Sequence, residues 1–147
     1  MKKVCALLLS LLLLLSLFSC GTPAAPEITD ADWQLASVTK DTPDHSGLLY
    51  VSDAYVAFFQ EGADLPRLEG VLTAKRGTLT FNDLTNGKTY TGTYDGEDEF
   101  SPDATAYKIT IEGKRGHGLA LRSIHNEEND FYTFSLTVGD YTLLFMQ

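Results

Sequence analysis

The sequence is poor in cysteine and in basic side chains. Its two cysteines, Cys5 and Cys20, lie at the start of the chain, so the remainder can hold neither a disulfide nor a thiolate metal cluster. Acidic residues outnumber basic ones by 20 to 11, which gives a formal net charge of −9. This balance argues against a nucleic-acid backbone or a generic anionic membrane surface as partner. A chain of 147 residues has room for one domain.

Long apolar runs are also scarce, and the longest one lies at the start of the chain. Val4–Phe18 is apolar except for two serines and follows the positive start Met1-Lys2-Lys3. A helix needs about 20 apolar residues to cross a bilayer, whereas a shorter run with this start is typical of an export signal. We therefore expect residues 1–19 to be a signal peptide.

The end of this run resembles a bacterial lipobox. In Leu17–Gly21 an apolar, a variable and a small residue precede Cys20. The resemblance implies cleavage before Cys20 and a covalent diacylglycerol on its thiol, with palmitate among the acyl chains. It also implies a lipid-anchored protein of the bacterial cell membrane or outer membrane, facing the periplasm or the cell exterior. Residues 20–28 are rich in small residues and proline, which predicts a short lipidated tether.

From Trp33 onward, apolar residues alternate with polar ones, as in strands that are half buried. Turn residues such as Arg76-Gly77, Asn86-Gly87 and Asp95-Gly96 separate these runs. The pattern predicts an all-β domain over residues 29–147, an antiparallel meander of eight or nine strands that closes as a small barrel, with a β-sandwich as the alternative. The expected strands are 33–39, 54–60, 68–74, 78–82, 88–94, 106–112, 117–123, 131–137 and 140–146.

The start of the domain admits two interpretations. Thr29 or Asp30 could cap a short helix over residues 31–36. The interpretation that we prefer makes Trp33–Thr39 the first strand, with the Trp33 indole at one end of the barrel.

A barrel that opens with a tryptophan near its first strand resembles the lipocalin-like (calycin) proteins. Thr91–Tyr94 after Asn86-Gly87, and the closing segment Gly139–Phe145, are similar to small lipocalin-like bacterial lipoproteins. Where lipocalins usually carry Gly-x-Trp, this chain has Ala31-Asp32-Trp33. The resemblance implies a barrel fold and carries over no ligand residues.

Two clusters of polar residues are candidates for metal sites, and both are better explained as surface loops. Asp95–Asp103 is densely acidic but lacks the ligand offsets and flanking helices of an EF-hand. His117 and His125, with Glu127, Glu128 and Asp130 nearby, match no usual spacing for zinc ligands. We expect no metal and no cofactor beyond the lipid on Cys20.

The aromatic side chains could fill the barrel or line a cavity for an apolar ligand. If the barrel is hollow, Trp33 and Tyr94 are the side chains expected at its wall. The sequence contains no nucleophile motif and no phosphate-binding loop. The sequence therefore favours a non-enzymatic binding module for a small apolar ligand or an envelope protein, attached to the membrane by its lipid. A structural or assembly lipoprotein, or an enzyme with an unrecognised site, are the alternatives.

The segments expected to carry specificity are the polar loops of the barrel. We expect these at Asp41–Gly47, Asp95–Asp103 and His125–Asp130.

Overall fold

The computed structural model describes residues 25–43, 47–126 and 129–147. Within these residues the chain forms nine strands and one short helix. The elements are β1 (Trp33–Lys40), β2 (Gly47–Val51), α1 (Asp53–Phe59), β3 (Gly70–Lys75), β4 (Thr78–Asp83), β5 (Lys88–Ser101), β6 (Ala104–Ile111), β7 (Lys114–Asn126), β8 (Asn129–Val138) and β9 (Tyr141–Met146).

All neighbouring strands are antiparallel, and pairing of β1 with β9 closes the sheet. β1 pairs with β9 from Gln34 to Lys40. Two strands share the other edge of β1. β3 pairs with the first two residues of β1, and β2 pairs with Ser37–Lys40 of β1. The result is a closed barrel of eight strands, β1 and β3–β9, to which β2 is added. The predicted lipocalin-like barrel is confirmed, and the alternative of a β-sandwich is wrong.

Tight turns keep successive strands next to each other. Arg76-Gly77 joins β3 to β4, and Glu112-Gly113 joins β6 to β7. Both residues of each pair have positive φ, at 51° and 79° in the first turn and 46° and 75° in the second. Positive φ at both central residues matches the twist of a two-residue hairpin, and glycine adopts it without strain.

One predicted strand is wrong, because residues 53–59 form helix α1. Ser52 caps this helix, since its Oγ accepts a hydrogen bond from the Tyr55 amide at 3.1 Å, and Asp53 lies in the first turn. Tyr55 and Phe59 are four residues apart and therefore share a helix face, although they also fit the alternation of a strand. The preceding strand β2 was not predicted, because its apolar residues Leu48–Val51 follow one another without alternation.

Two predicted loops are mostly strand. β5 continues through Asp95-Gly96, which was expected to be a turn, as far as Ser101. The pairing of β5 with β6 shifts register after Gly96, so this glycine marks a β-bulge that bends the strand rather than ending it. The segment expected as a loop at His125–Asp130 contains the end of β7 and the start of β8, and residues 127–128 lie outside the described part.

Two apolar clusters hold the fold together. The larger fills the barrel around Trp33, Phe134 and Phe145, which are wholly buried. The smaller lies outside the barrel wall, where α1 and β2 cover Ala36 and Met146. Trp33 begins β1, so the strand predicted there is confirmed and the helix over 31–36 is wrong.

The two ends of the barrel differ. Residues 25–32 cover the end where β1 begins, and we call it the closed end. Ile28, assigned to the tether by the sequence, belongs to the core here with 1% of its surface exposed. The opposite end, where β1 finishes and β9 begins, is open, and we call it the mouth.

Candidate functional site

The mouth leads into a cavity of about 540 Å³. Its floor and walls are apolar side chains from β1, β4, β5, β6, β8 and β9, together with Leu68 from the segment before β3. They point inward because alternate residues of each strand face the same side of the sheet. The lining is formed by Val38, Leu68, Phe81, Tyr90, Ile111, Leu136, Val138 and Leu143.

Aromatic rings and charges surround the opening of this cavity. Tyr50 and Tyr141 line it and are 40% and 43% exposed. The ammonium group of Lys40 lies 5.4 Å from the centre of the Tyr141 ring, within the range of a cation–π contact. Lys114 and Asp140 complete the rim. The site thus combines an apolar interior with a rim that carries charges of both signs.

Asp83 is the most buried acid at the mouth, with 7% of its surface exposed. Its two carboxylate oxygens accept hydrogen bonds from Asn86, from the backbone amide at 2.9 Å and from the side-chain amide at 2.8 Å. These bonds hold the turn between β4 and β5 and also fix the carboxylate in the cavity wall. An aspartate followed three residues later by Asn86-Gly87 is the sequence signal that could have identified it.

Lys114 is a rim residue that the sequence analysis missed. It is the first residue of β7 and lies in the lining of the cavity, whereas its neighbour Arg115 does not. The signal was available, because Lys114 shares a strand face with Gly116 and the buried Gly118.

The closed end is stabilised by a chain of two hydrogen bonds. The Trp33 indole N–H donates to the carbonyl oxygen of Ile28 at 2.8 Å, and the Ile28 amide donates to the hydroxyl oxygen of Tyr107 at 3.0 Å. Burial raises the pKa of the Tyr107 hydroxyl, and the nearby carboxylates of Glu27 and Asp30 raise it further, against the lowering effect of the Ile28 bond. Residues 25–32 are therefore tied to the barrel by both packing and hydrogen bonds.

The structure does not bring Trp33 and Tyr94 to the mouth cavity. Trp33 is wholly buried at the closed end. Tyr94 packs edge-on against Tyr107 and lines a smaller depression of about 250 Å³ beside residues 27–29. A ligand contact at either side chain stays a prediction, and the cavity is lined by other residues. Cys20, the predicted site of lipid attachment, lies outside the described residues.

The structure describes only some of the candidate metal ligands. His117 is exposed on β7, and Glu127 and Glu128 lie outside the described residues. Asp103, from the acidic segment, pairs with the buried guanidinium of Arg122. Its Oδ1 accepts hydrogen bonds from Nε of Arg122 at 3.0 Å and from Nη2. Among the residues whose side chains the structure describes, which leave out 97–100 and 124–130, no three His, Cys, Asp or Glu side chains are grouped so that they could hold a metal ion.

Comparisons with family models, curated proteins and solved structures found no match to this chain. In the part of the chain that the structure describes, no helix is long and apolar enough to cross a membrane.

Proposed function

We propose that this protein is an envelope-anchored lipoprotein whose barrel binds a small, largely apolar ligand at its mouth. The observation that carries the proposal is the open cavity of about 540 Å³. Ligand sites in proteins commonly measure about 300–1,000 Å³, and they join an apolar lining to a few polar groups. The function proposed is binding and not catalysis.

The chemistry of the lining defines the class of ligand. Leu136, Val138 and Leu143 present aliphatic surface, and Phe81 and Tyr90 stack at 5.9 Å on the opposite wall. Burial of apolar ligand surface against these side chains stabilises the complex by about 25 cal/mol per Å². The charges at the rim favour a ligand with a polar end that remains at the opening.

We also propose that the mouth faces away from the membrane, and the position of residues 25–32 supports this orientation. Residues 25–32 lie at the closed end, so a lipid on Cys20 holds that end towards the membrane. The mouth then faces away from the bilayer, towards the periplasm or the cell exterior. A ligand would enter from the aqueous side.

Binding can be tested by blocking the cavity. Leu143→Trp adds an indole to the lining, whereas Arg115→Trp places the same group on an exposed residue outside it. We expect the purified protein to increase the fluorescence of 1-anilinonaphthalene-8-sulfonate, Leu143→Trp to lose this response, and Arg115→Trp to keep it. Native mass spectrometry of the protein from its own host should show a bound small molecule. Equal responses from all three proteins, together with an unliganded mass, would contradict the proposal.

The anchor can be tested separately. The lipobox resemblance at Leu17–Cys20 predicts that mass spectrometry of membrane-extracted protein finds diacylglycerol on an N-terminal Cys20. Cys20→Ala should leave the protein unprocessed or released from the membrane. Cleavage and lipid attachment that persist in this variant would show that the anchor is elsewhere.

A further inference from the structure

Three phenylalanine rings form an apolar patch on the outside of the barrel. Phe58 stacks on Phe131 with ring centres 5.1 Å apart and planes 11° from parallel. Phe59 meets Phe58 edge-on at 4.8 Å. Phe58 and Phe59 are 46% and 40% exposed despite these contacts. We call Phe58, Phe59 and Phe131 the aromatic patch.

Contacts between α1 and the barrel wall hold the aromatic patch in place. Tyr55, one turn before Phe59, is buried in the outer cluster with Ala36 and Met146, and its ring lies 4.6 Å from that of Phe59. Its hydroxyl donates to the Glu61 carboxylate at 3.0 Å. Because the inner face of α1 is fixed by these contacts, the two exposed rings keep a defined direction.

The aromatic patch lies beside the closed end of the barrel. Phe131 precedes Tyr132, whose carbonyl oxygen accepts a hydrogen bond from the amide of Gln147, the residue after β9 ends. β9 ends against the first residues of β1, where Trp33 bonds to Ile28. The rings and residues 25–32 are therefore at the same end of the barrel.

The length of chain before residue 25 sets how far this end can be from an anchored Cys20. Four residues, 21–24, lie between Cys20 and Ala25, so five Cα–Cα steps join the two. A fully extended chain of that length spans at most about 18 Å. Residues 25–32 and the aromatic patch would thus be kept within reach of the lipid surface.

We propose that the aromatic patch inserts into the interface of the bilayer and fixes the barrel with its mouth away from the membrane. This inference rests on the proposed anchoring at Cys20. Aromatic rings are favoured at the boundary between headgroups and acyl chains. The formal charge of −9, which becomes −11 once Lys2 and Lys3 leave with residues 1–19, gives no attraction to anionic lipids, so the contact is apolar and suits a zwitterionic surface. Two exposed rings form a weak contact alone, and the anchor strengthens it by raising their local concentration at the membrane.

Quenching by brominated lipids measures this insertion directly. We would express the full chain in a bacterial host, extract it from the membrane, record its mass, and place it in phosphatidylcholine vesicles with or without brominated acyl chains. Phe58→Trp and Phe59→Trp each place a fluorescent indole in the aromatic patch. Tyr141→Trp, at 43% exposure on the mouth, is the matched control. The native Trp33 is wholly buried and contributes a constant background.

We expect both patch variants to lose most of their added emission in brominated vesicles, while Tyr141→Trp keeps its emission. A lipidated chain whose patch variants are quenched no more than Tyr141→Trp would overturn the inference and leave the anchor intact. A mass without lipid at Cys20 and no vesicle association would overturn the anchoring and the inference together. A dimer whose added indoles are protected equally with and without vesicles would assign the patch to a second copy of this chain, and would also overturn the inference.

Discussion

The closed end and the mouth of the barrel use the same strands for different purposes. At the closed end, Trp33, Phe134 and Phe145 are fully buried, and hydrogen bonds tie residues 25–32 across the opening. At the mouth, Tyr50 and Tyr141 are exposed above an open cavity. The difference shows that a small barrel can place its packing at one end and so leave the other open.

The largest expected loss of stability comes from a substitution at the closed end. Trp33→Ala removes a wholly buried indole and the hydrogen bond to Ile28. Loss of a buried aromatic side chain costs about 3–5 kcal/mol of the free energy of unfolding. Tyr141→Ala at the mouth should cost less than about 1 kcal/mol, since surface changes are usually small. Urea unfolding followed by circular dichroism measures both, and equal losses would contradict the comparison.

A smaller effect is expected from overpacking. A Cβ at Gly118 would lie 2.6 Å from Ile109 Cδ1 and 2.7 Å from Phe134 Cζ, inside the packed interior. Overpacking of this kind typically costs about 1–3 kcal/mol, so Gly118→Ala should lower the urea midpoint. At Gly47, near the mouth, a Cβ would meet no atom within 4 Å. Gly47→Ala should therefore leave the midpoint almost unchanged, and a loss as large as that of Gly118→Ala would show that the mouth is equally packed.

The pH dependence of stability should also originate mainly at the closed end. Burial raises the pKa of Tyr107 above the ordinary value of about 10. A raised pKa in the folded state contributes stability that is fully present below the unfolded pKa and is lost as pH rises through the folded one. The free energy of unfolding should therefore fall in alkali above about pH 10.

Tyr107→Phe tests this assignment. The variant should be less stable at neutral pH, because the buried Ile28 amide loses its acceptor, and should lose less stability in alkali. Tyr55, whose pKa is also raised by burial, should contribute to the dependence that remains. An unchanged slope in Tyr107→Phe would place the titrating group elsewhere.

The smallest effect on stability is expected at the rim, where a change should alter binding instead. Lys114→Glu and Arg115→Glu make the same change of charge on adjacent residues, inside and outside the cavity lining. Both should change the free energy of unfolding by less than about 0.5 kcal/mol. Only Lys114→Glu should weaken binding of the anionic probe 1-anilinonaphthalene-8-sulfonate in a fluorescence titration. Equal weakening by both variants would indicate a general charge effect rather than a site at the mouth.

Much of the fold is determined locally and could be predicted. β4, Tyr107–Ile111 of β6 and Tyr132–Val138 of β8 alternate apolar and polar residues, and hairpins such as Glu112-Gly113 need residues that tolerate positive φ. Both signals depend only on neighbours along the chain. Helix α1 could not be distinguished from a strand in this way, because Tyr55 and Phe59 fit both periods. The Ser52 side chain caps the helix by accepting a hydrogen bond from the Tyr55 amide, and a single serine is a weak signal for a helix in the sequence.

The cavity depends on contacts that no local pattern encodes. Alternation shows that Phe134 and Leu136 face the same side of β8, but not that Leu136 borders the mouth cavity and Phe134 does not, although both are buried. That division follows from closure of β1 on β9 and from residues 25–32 covering one end only. The sequence by itself determined the strands, their turns and the acidic character of the chain. Only the tertiary structure decided which end is filled, because packing density depends on side chains that are distant along the chain and meet when the barrel closes.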